Sequence, residues 1–323
     1  MNETFRVLSL DGGGIKGTYT AAFLAGLEEM SQRRVVDHFD LIAGTSTGGI
    51  IALALGLGVP ASEILRFYVE RGPEIFPLIG TSDRLLGLAR HVLRAKHGTA
   101  TLRHALAEVF GERLIGESQT RLIIPSYDGS SGDVYLFKTA HHARFKRDCG
   151  ERAAHVALAT SAAPTFLPSF VGASGTTLVD GGVWANCPAA MAVIEALTNL
   201  GRPVGTVDLL TVGTTEEPIH VPRSKAVGGL LQWIRFAPEL LMQAQAKGAL
   251  AHAKLLTGNR MLRISEAVAP GRFKLDDPRC IEELHALGHK AARHHEREVS
   301  ERFLTSEAEP FVPFHGPRSD AAA

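Results

Sequence analysis

Twice before residue 58 a short apolar run ends in a glycine-rich turn and passes into a helix-like stretch. Phe5 to Leu10 enters Asp11-Gly12-Gly13-Gly14-Ile15-Lys16-Gly17, after which Thr18 to Arg33 carries Ala22, Phe23, Leu24, Leu27 and Met30 near helical spacing. Asp40 to Ala43 then enters Gly44-Thr45-Ser46-Thr47-Gly48, and Gly48 to Leu57 is nearly all apolar. Short apolar strands and a helix without a polar face have to be buried. Strand, turn and helix in repetition predict an α/β fold with a mostly parallel sheet.

Downstream, Ser62 to Gly116 reads as helical and more polar, suited to a cap over the sheet edge. Arg121 to Tyr127 and Asp133 to Thr139 alternate around Asp128-Gly-Ser-Ser-Gly132, which predicts a β-hairpin. Further helices are expected at Arg152 to Ser161 and Pro188 to Leu200, and strands at Thr177 to Val179 and Val207 to Val212. Leu230 to Leu256 reads as a long amphipathic helical region broken near Pro238, either packed on the core or forming an interfacial lid. Ile281 to Phe303 reads as a charged surface helix. One domain is expected over residues 5–304, with a catalytic core at 5–215 and a helical part at 216–304. The Pro- and Ala-rich stretch 305–323 is expected to fray.

Lys plus Arg and Asp plus Glu both number 34, and this zero net charge argues against a general DNA or RNA binder. The three cysteines, Cys149, Cys187 and Cys280, form no Cys-x-x-Cys pair, so neither a disulfide framework nor a structural zinc is expected. MNETFRVLSL carries an acid where a signal peptide carries a positive charge, and no apolar run approaches the about 20 residues of a spanning helix. A cytoplasmic protein touching membranes only peripherally is expected.

Chemistry concentrates in three glycine-rich turns. Gly44-Thr45-Ser46-Thr47-Gly48 is a G-x-S-x-G between a strand and an apolar helix, where small neighbours permit the sharp turn that projects a nucleophilic serine. Gly12, Gly14 and Gly17 space as G-x-G-x-x-G, so a dinucleotide loop has to be weighed. That reading wants an acid at the end of the next strand, and this strand ends instead in the serine motif. The same loop suits an oxyanion hole made from consecutive backbone N–H groups, with Lys16 adding charge nearby. A base for Ser46 comes either from the 14 histidines, His220 and His252 being late enough for hydrolase order, or from Asp180 at the strand end before Gly181 and Gly182. No histidine pair has metal-ligand spacing.

Taken in order, the glycine loop, the G-x-S-x-G and Asp-Gly-Gly resemble the patatin-like phospholipases. The similarity extends through Phe39-Asp-Leu-Ile-Ala-Gly-Thr-Ser-Thr-Gly-Gly-Ile50, Ala159-Thr-Ser-Ala-Ala-Pro-Thr-Phe166 and Asp180-Gly-Gly-Val-Trp-Ala-Asn186, over about residues 5–215. The resemblance implies a three-layer α/β/α fold with helical cap additions and a serine lipid acyl hydrolase of phospholipase A type needing no metal. It implies Ser46 as nucleophile, Asp180 as general base and Gly12, Gly13 and Gly14 as oxyanion hole. Lys16 stands where the family more often has arginine.

Phe137-Lys-Thr-Ala-His-His142, Gly228-Gly-Leu-Leu-Gln-Trp233 and Phe273-Lys-Leu-Asp-Asp277 are similar to the CapV group, phospholipase effectors of bacterial CBASS antiphage defence. That resemblance implies activation by a cyclic dinucleotide, typically 3′,3′-cyclic GMP-AMP (3',3'-cGAMP), and membrane phospholipid at the inner face of the cell membrane as substrate. It leaves room for a homo-oligomer. The basic cluster His141, His142, Arg144, Lys146 and Arg147 is either a contact for the activator's phosphates or a solvated loop. Two further readings stay open: a constitutive lipase without nucleotide control, and a nucleotide-binding sensor with a weak hydrolase site. A NAD-dependent dehydrogenase is a third.

Overall fold

The computed structural model describes residues 4–78, 95–223, 228, 229, 233 and 236–319. Leu230, Leu231 and Ile234 of the expected amphipathic run, and the middle of the expected cap, lie outside the described residues.

The strands are β1 (Phe5–Leu10), β2 (Leu41–Gly44), β3 (Arg121–Asp128), β4 (Asp133–Lys138), β5 (Phe170–Val171), β6 (Thr177–Asp180), β7 (Val207–Glu216) and β8 (Met261–Ala267). They form one sheet in the order β5-β6-β3-β2-β1-β7-β8, with β4 paired to β3. Pairing is parallel at β1–β2, β1–β7, β2–β3 and β7–β8, and antiparallel at β3–β4, β3–β6 and β5–β6. The β3–β4 hairpin lies where the alternation placed it. The C-terminal part, expected to be helical, donates β8 to the sheet beside β7.

Helices cover both faces, so the central strands bury residues on both sides rather than alternating between core and solvent. Leu8, Leu10, Ile42, Leu122, Ile124, Leu210 and Val212 face one core with α1 (Gly17–Ser31), α2 (Thr47–Gly56), α3 (Ala61–Ile75), α4 (Thr99–Phe110) and α5 (Ala153–Thr160). Phe5, Val7, Leu41, Ala43, Ile123, Val207 and Leu209 face the other, and the short α6 (Gly182–Ala185) leads into α7 (Ala189–Thr198), which covers that face with α8 (Ala237–Thr257). Pro238 sits in the first turn of α8, where its missing N–H is harmless, and a turn at Phe236 separates that helix from the helical Trp233, an interruption near Pro238 as expected. The last helix, α9 (Ile281–Phe303), packs Leu284, Gly288, Ala291 and Ala292 into the core, so it is a surface helix on one side only. A Cβ on Gly288 would come within 2.4 Å of the Tyr19 carbonyl oxygen, so α9 lies against the backbone of α1.

Residues 305–319, expected to fray, are strapped across the N-terminal ends of β1 and β3. The buried Arg6 guanidinium donates to the carbonyl oxygens of Phe303 (3.1 Å), Ser306 (2.5 Å) and Glu307 (3.3 Å). The Ala308 N–H donates to the Asp37 carbonyl and the Phe314 N–H to that of Ala140 (both 2.7 Å). Phe311 is 3% exposed and lies under the Arg121 guanidinium at 5.1 Å. Composition hid this because one aromatic ring and a buried arginine 300 residues away hold the segment. Phe311→Ala is expected to cost about 3 kcal/mol by chemical denaturation. The ring lies at the end of the sheet away from Ser46, so ester turnover at 25 °C should be unchanged.

Candidate active site

The β2–α2 turn carries Ser46 at φ 54° and ψ −121°, a backbone state that side chains seldom adopt. Two positions away on either side, only glycine fits. A Cβ on Gly44 would come within 2.1 Å of the Gly48 carbonyl oxygen, and one on Gly48 within 2.3 Å of that of Leu10. The turn is thereby pressed onto the end of β1, and Ser46 projects over the edge of the sheet from the N-terminus of α2. That helix end favours negative charge.

Asp180 ends β6, and its pairing with Ser126 of β3 carries it to the same edge. The Ser46 hydroxyl donates to Asp180 Oδ2 at 2.8 Å, and the Gly182 N–H donates to Oδ1 at 2.6 Å. Asp180 is 5% exposed. Burial raises its carboxyl from 3.8 to about 6, against the opposing pull of the Gly182 and Ser46 hydrogen bonds. A carboxylate bonded to a hydroxyl, with its pKa raised toward neutrality by burial, has the chemistry to accept that hydroxyl's proton.

The glycine loop closes the third side. Its first N–H, on Gly12, is not free as expected, for it donates to the Asn186 carbonyl at 2.9 Å. Among the described residues the N–H groups of Gly13 and Gly14 have no protein acceptor. Lys16 reaches away from Ser46, donating to the Thr215 carbonyl at 3.3 Å, and burial lowers its pKa.

Three residues that sequence reasoning does not single out hold these parts together. Thr160 accepts the Ser46 N–H at 3.0 Å and donates to the Pro125 carbonyl at 2.6 Å. Asn186 takes the Gly12 N–H and sends its own side-chain amide toward the Gly12 carbonyl at 3.4 Å. Arg263 of β8 donates to Asp11 at 2.7 Å and to Glu216 at 2.8 Å, fixing the residue that opens the glycine loop. Thr160 and Asn186 stand inside the patatin-like stretches; Arg263 carries no local signal.

The histidine alternatives fall away. His220 is exposed at the cavity wall and His252 is exposed on α8, while the Ser46 hydroxyl is engaged by Asp180. The dinucleotide-loop reading also fails, since β2 ends at Gly44 in the serine turn and the site of a Gly12 Cβ lies 3.2 Å from that of Ser46. The basic cluster is divided. His141 is buried between Thr139 (2.8 Å) and Glu195 (3.0 Å), and burial lowers its pKa. Arg147 is drawn to Asp148 at 2.9 Å and lies over the Tyr135 ring.

Ser46 and Asp180 sit in the floor of a cavity of about 1220 Å³. Its walls are mainly apolar, among them Ile50, Phe67, Ile75, Phe166, Leu241 and Phe273. Pockets of about 300–1,000 Å³ hold compact ligands, so this one has room for a longer apolar molecule. Among the described residues no helix is long and apolar enough to cross a membrane.

Comparison with known proteins agrees with this arrangement. A "cGAMP-activated phospholipase" of Pseudomonas aeruginosa (strain BWHPSA011 / Pa011) is 32% identical over 320 residues, covering 98% of this chain and 94% of the relative. Proteins of the same description from Vibrio cholerae and Escherichia coli are 32% and 34% identical, over 79% and 66% of this chain and 78% and 62% of their own lengths. The sequence pattern described as "Patatin-like phospholipase" matches residues 8–193, which run from β1 through the serine turn and Asp180 to α7. With the fold and the shared edge of Ser46 and Asp180, that match has one meaning: the chain belongs to the patatin-like phospholipase family and is a hydrolase.

Proposed function

We propose that the chain cleaves phospholipid acyl esters through a Ser46–Asp180 dyad and that a cyclic dinucleotide switches it on. The observation that carries the catalytic part is the 2.8 Å hydrogen bond from the Ser46 hydroxyl to a buried carboxylate in the floor of an apolar cavity. The acyl chain lies in the cavity with its carbonyl over Ser46. Asp180 takes the hydroxyl proton as Oγ bonds to the carbonyl carbon, and the carbonyl π pair moves onto oxygen. The Gly13 and Gly14 N–H groups face that oxyanion. Asp180 returns the proton to the departing lysophospholipid oxygen, leaving an acyl-enzyme. A water then repeats the sequence and frees the fatty acid and Ser46.

Activation by 3′,3′-cyclic GMP-AMP is supported by the relatives described as cGAMP-activated, one of which matches nearly the whole chain. In this reading the enzyme acts peripherally on the inner face of the membrane as an antiphage effector, and no cofactor enters the reaction.

The test is fatty-acid release from vesicles of phosphatidylethanolamine and phosphatidylglycerol, with and without 3′,3′-cyclic GMP-AMP, with Ser46→Ala as control. Release at least tenfold higher with the dinucleotide and absent in Ser46→Ala is expected. Equal release in both tubes would make the enzyme a constitutive lipase. Dinucleotide binding without release on any lipid would favour a sensor.

A further inference from the structure

The loop at 270–277, which contains Phe273-Lys-Leu-Asp-Asp277, roofs the glycine loop. The Ile15 N–H donates to the Leu275 carbonyl at 2.8 Å, and a Cβ on Gly14 would come within 2.3 Å of that same oxygen. Gly14 itself stands at φ 57°. Leu275 therefore fixes the Gly14–Ile15 peptide and packs against Gly14 itself, the residue whose own N–H has no protein acceptor among the described residues.

Leu275 is held from both sides. On one side, Glu217, just beyond the end of β7, accepts the Gly271 N–H at 2.6 Å and the Phe273 N–H at 3.4 Å. On the other, Asp276 accepts from Lys96 and, at 2.9 Å, from His97 Nε2 through the same oxygen, Oδ2. Lys96 and His97 are fixed in turn, their N–H groups donating to the Thr165 and Phe166 carbonyls at 2.9 Å. The Asp276 and His97 side chains are 7% and 3% exposed. Burial alone would raise the Asp276 carboxyl, but the hydrogen bonds from His97 and Lys96 outweigh it and hold it near 2. This ion cluster is the tie between the segment before α4 and the loop over the glycines. It touches neither Ser46 nor Asp180.

We propose that Asp276 is a positioning residue of the reaction: by pinning the 270–277 loop it aims the Gly13 and Gly14 N–H groups at the oxyanion. The proposal rests on the reading of Ser46 and the glycine loop given above. Loss of the carboxylate frees one anchor of Leu275, leaves His97 buried without its acceptor, and lets the Gly14 peptide turn.

The test uses a short-chain p-nitrophenyl ester, with 3′,3′-cyclic GMP-AMP present, so that bilayer access plays no part. Rates are expressed per site labelled by a fluorophosphonate, which removes any misfolded fraction. An alkyl trifluoromethyl ketone serves as oxyanion probe. Ser46 Oγ bonds to its carbonyl carbon, the π pair moves to oxygen, and the serine proton passes to Asp180. Outright removal of one oxyanion donor typically costs about 10²–10³ in rate. Misaiming should cost less, so Asp276→Ala is expected to lower kcat about 10- to 100-fold with KM within threefold. Inhibition by the ketone should weaken by a similar factor, Asp276→Asn should fall between, and Lys96→Met combined with Asp276→Ala should add nothing further. A merely structural role would lower the melting temperature and the labelled fraction while kcat per labelled site and ketone affinity stayed within twofold of wild type. That result, with Ser46→Ala inactive, would overturn the proposal and leave the dyad standing. Turnover by Ser46→Ala would remove the dyad and this proposal with it.

Discussion

Ser46→Ala is expected to lower kcat on phospholipid by about 10⁴-fold or more, because removing a catalytic nucleophile leaves only the residual binding and oxyanion contributions. The fold should survive. The hydroxyl's partner, Asp180, keeps the Gly182 N–H, and the Ser46 N–H keeps Thr160. Loss of the serine hydrogen bond removes one of the two contacts that favour the ionised carboxylate, so Asp180 should titrate above its value of about 6. Ser46→Gly separates chemistry from strain. At φ 54° and ψ −121° a Cβ is unfavourable, so Ser46→Gly should be more stable than Ser46→Ala by about 1 kcal/mol while equally inactive. Denaturant melts of both variants alongside a fatty-acid release assay decide the matter. Residual activity within tenfold of wild type in either would remove Ser46 from the nucleophile's role.

The features legible in the sequence are those local in the chain. Most core strands and helices betray themselves within about ten residues by their periodicity, β8 being the exception inside a part expected to be helical, and a serine turn needs its glycines two positions away on either side. The base is legible for the same reason, since Asp180 closes a strand and precedes two glycines. What escapes are the contacts that turn three separate turns into one site. Ser46 and Thr160 are 114 residues apart, and Asp11 and Arg263 are 252 apart. A threonine in a helix and an arginine in a strand look ordinary until the sheet order brings β8 beside β7, one strand away from β1. The same distance hides the role of the tail, where Arg6 waits for a carbonyl 300 residues on. Charge misleads once, at α9: its many polar residues mark the solvent side, while Ile281, Leu284, Val299 and Phe303, with Gly288, Ala291 and Ala292 between them, mark an inner side packed into the core.

Asp180→Asn should show opposite effects on stability and on turnover. The folded carboxyl sits at about 6 against an ordinary 3.8, because burial penalises the charge. A raised folded value means that the native state binds the proton more tightly than the unfolded one. The stability from this group is therefore complete below about pH 4 and is lost as pH rises through about 6. At pH 8 the ionised group opposes folding by about 3 kcal/mol, at about 1.36 kcal/mol for each tenfold change in proton affinity. Asparagine is neutral throughout, and its Oδ1 still accepts from Gly182 while its amide faces the Ser46 hydroxyl. Asp180→Asn should accordingly melt several degrees above wild type at pH 8, and the gap should close as pH falls to 4. Catalysis moves the other way. Wild-type kcat/KM should fall tenfold for each pH step of one below pH 6, where the base is protonated, and Asp180→Asn should lose about 10²–10⁴-fold at every pH. A variant less stable than wild type at pH 8 would mean that Asp180 is held ionised by the fold. A wild-type rate flat from pH 5 to 8 would mean that some other group takes the proton. If both predictions hold, one buried carboxyl accounts for both: the burial that destabilises the ionised protein is what brings its base into the working range.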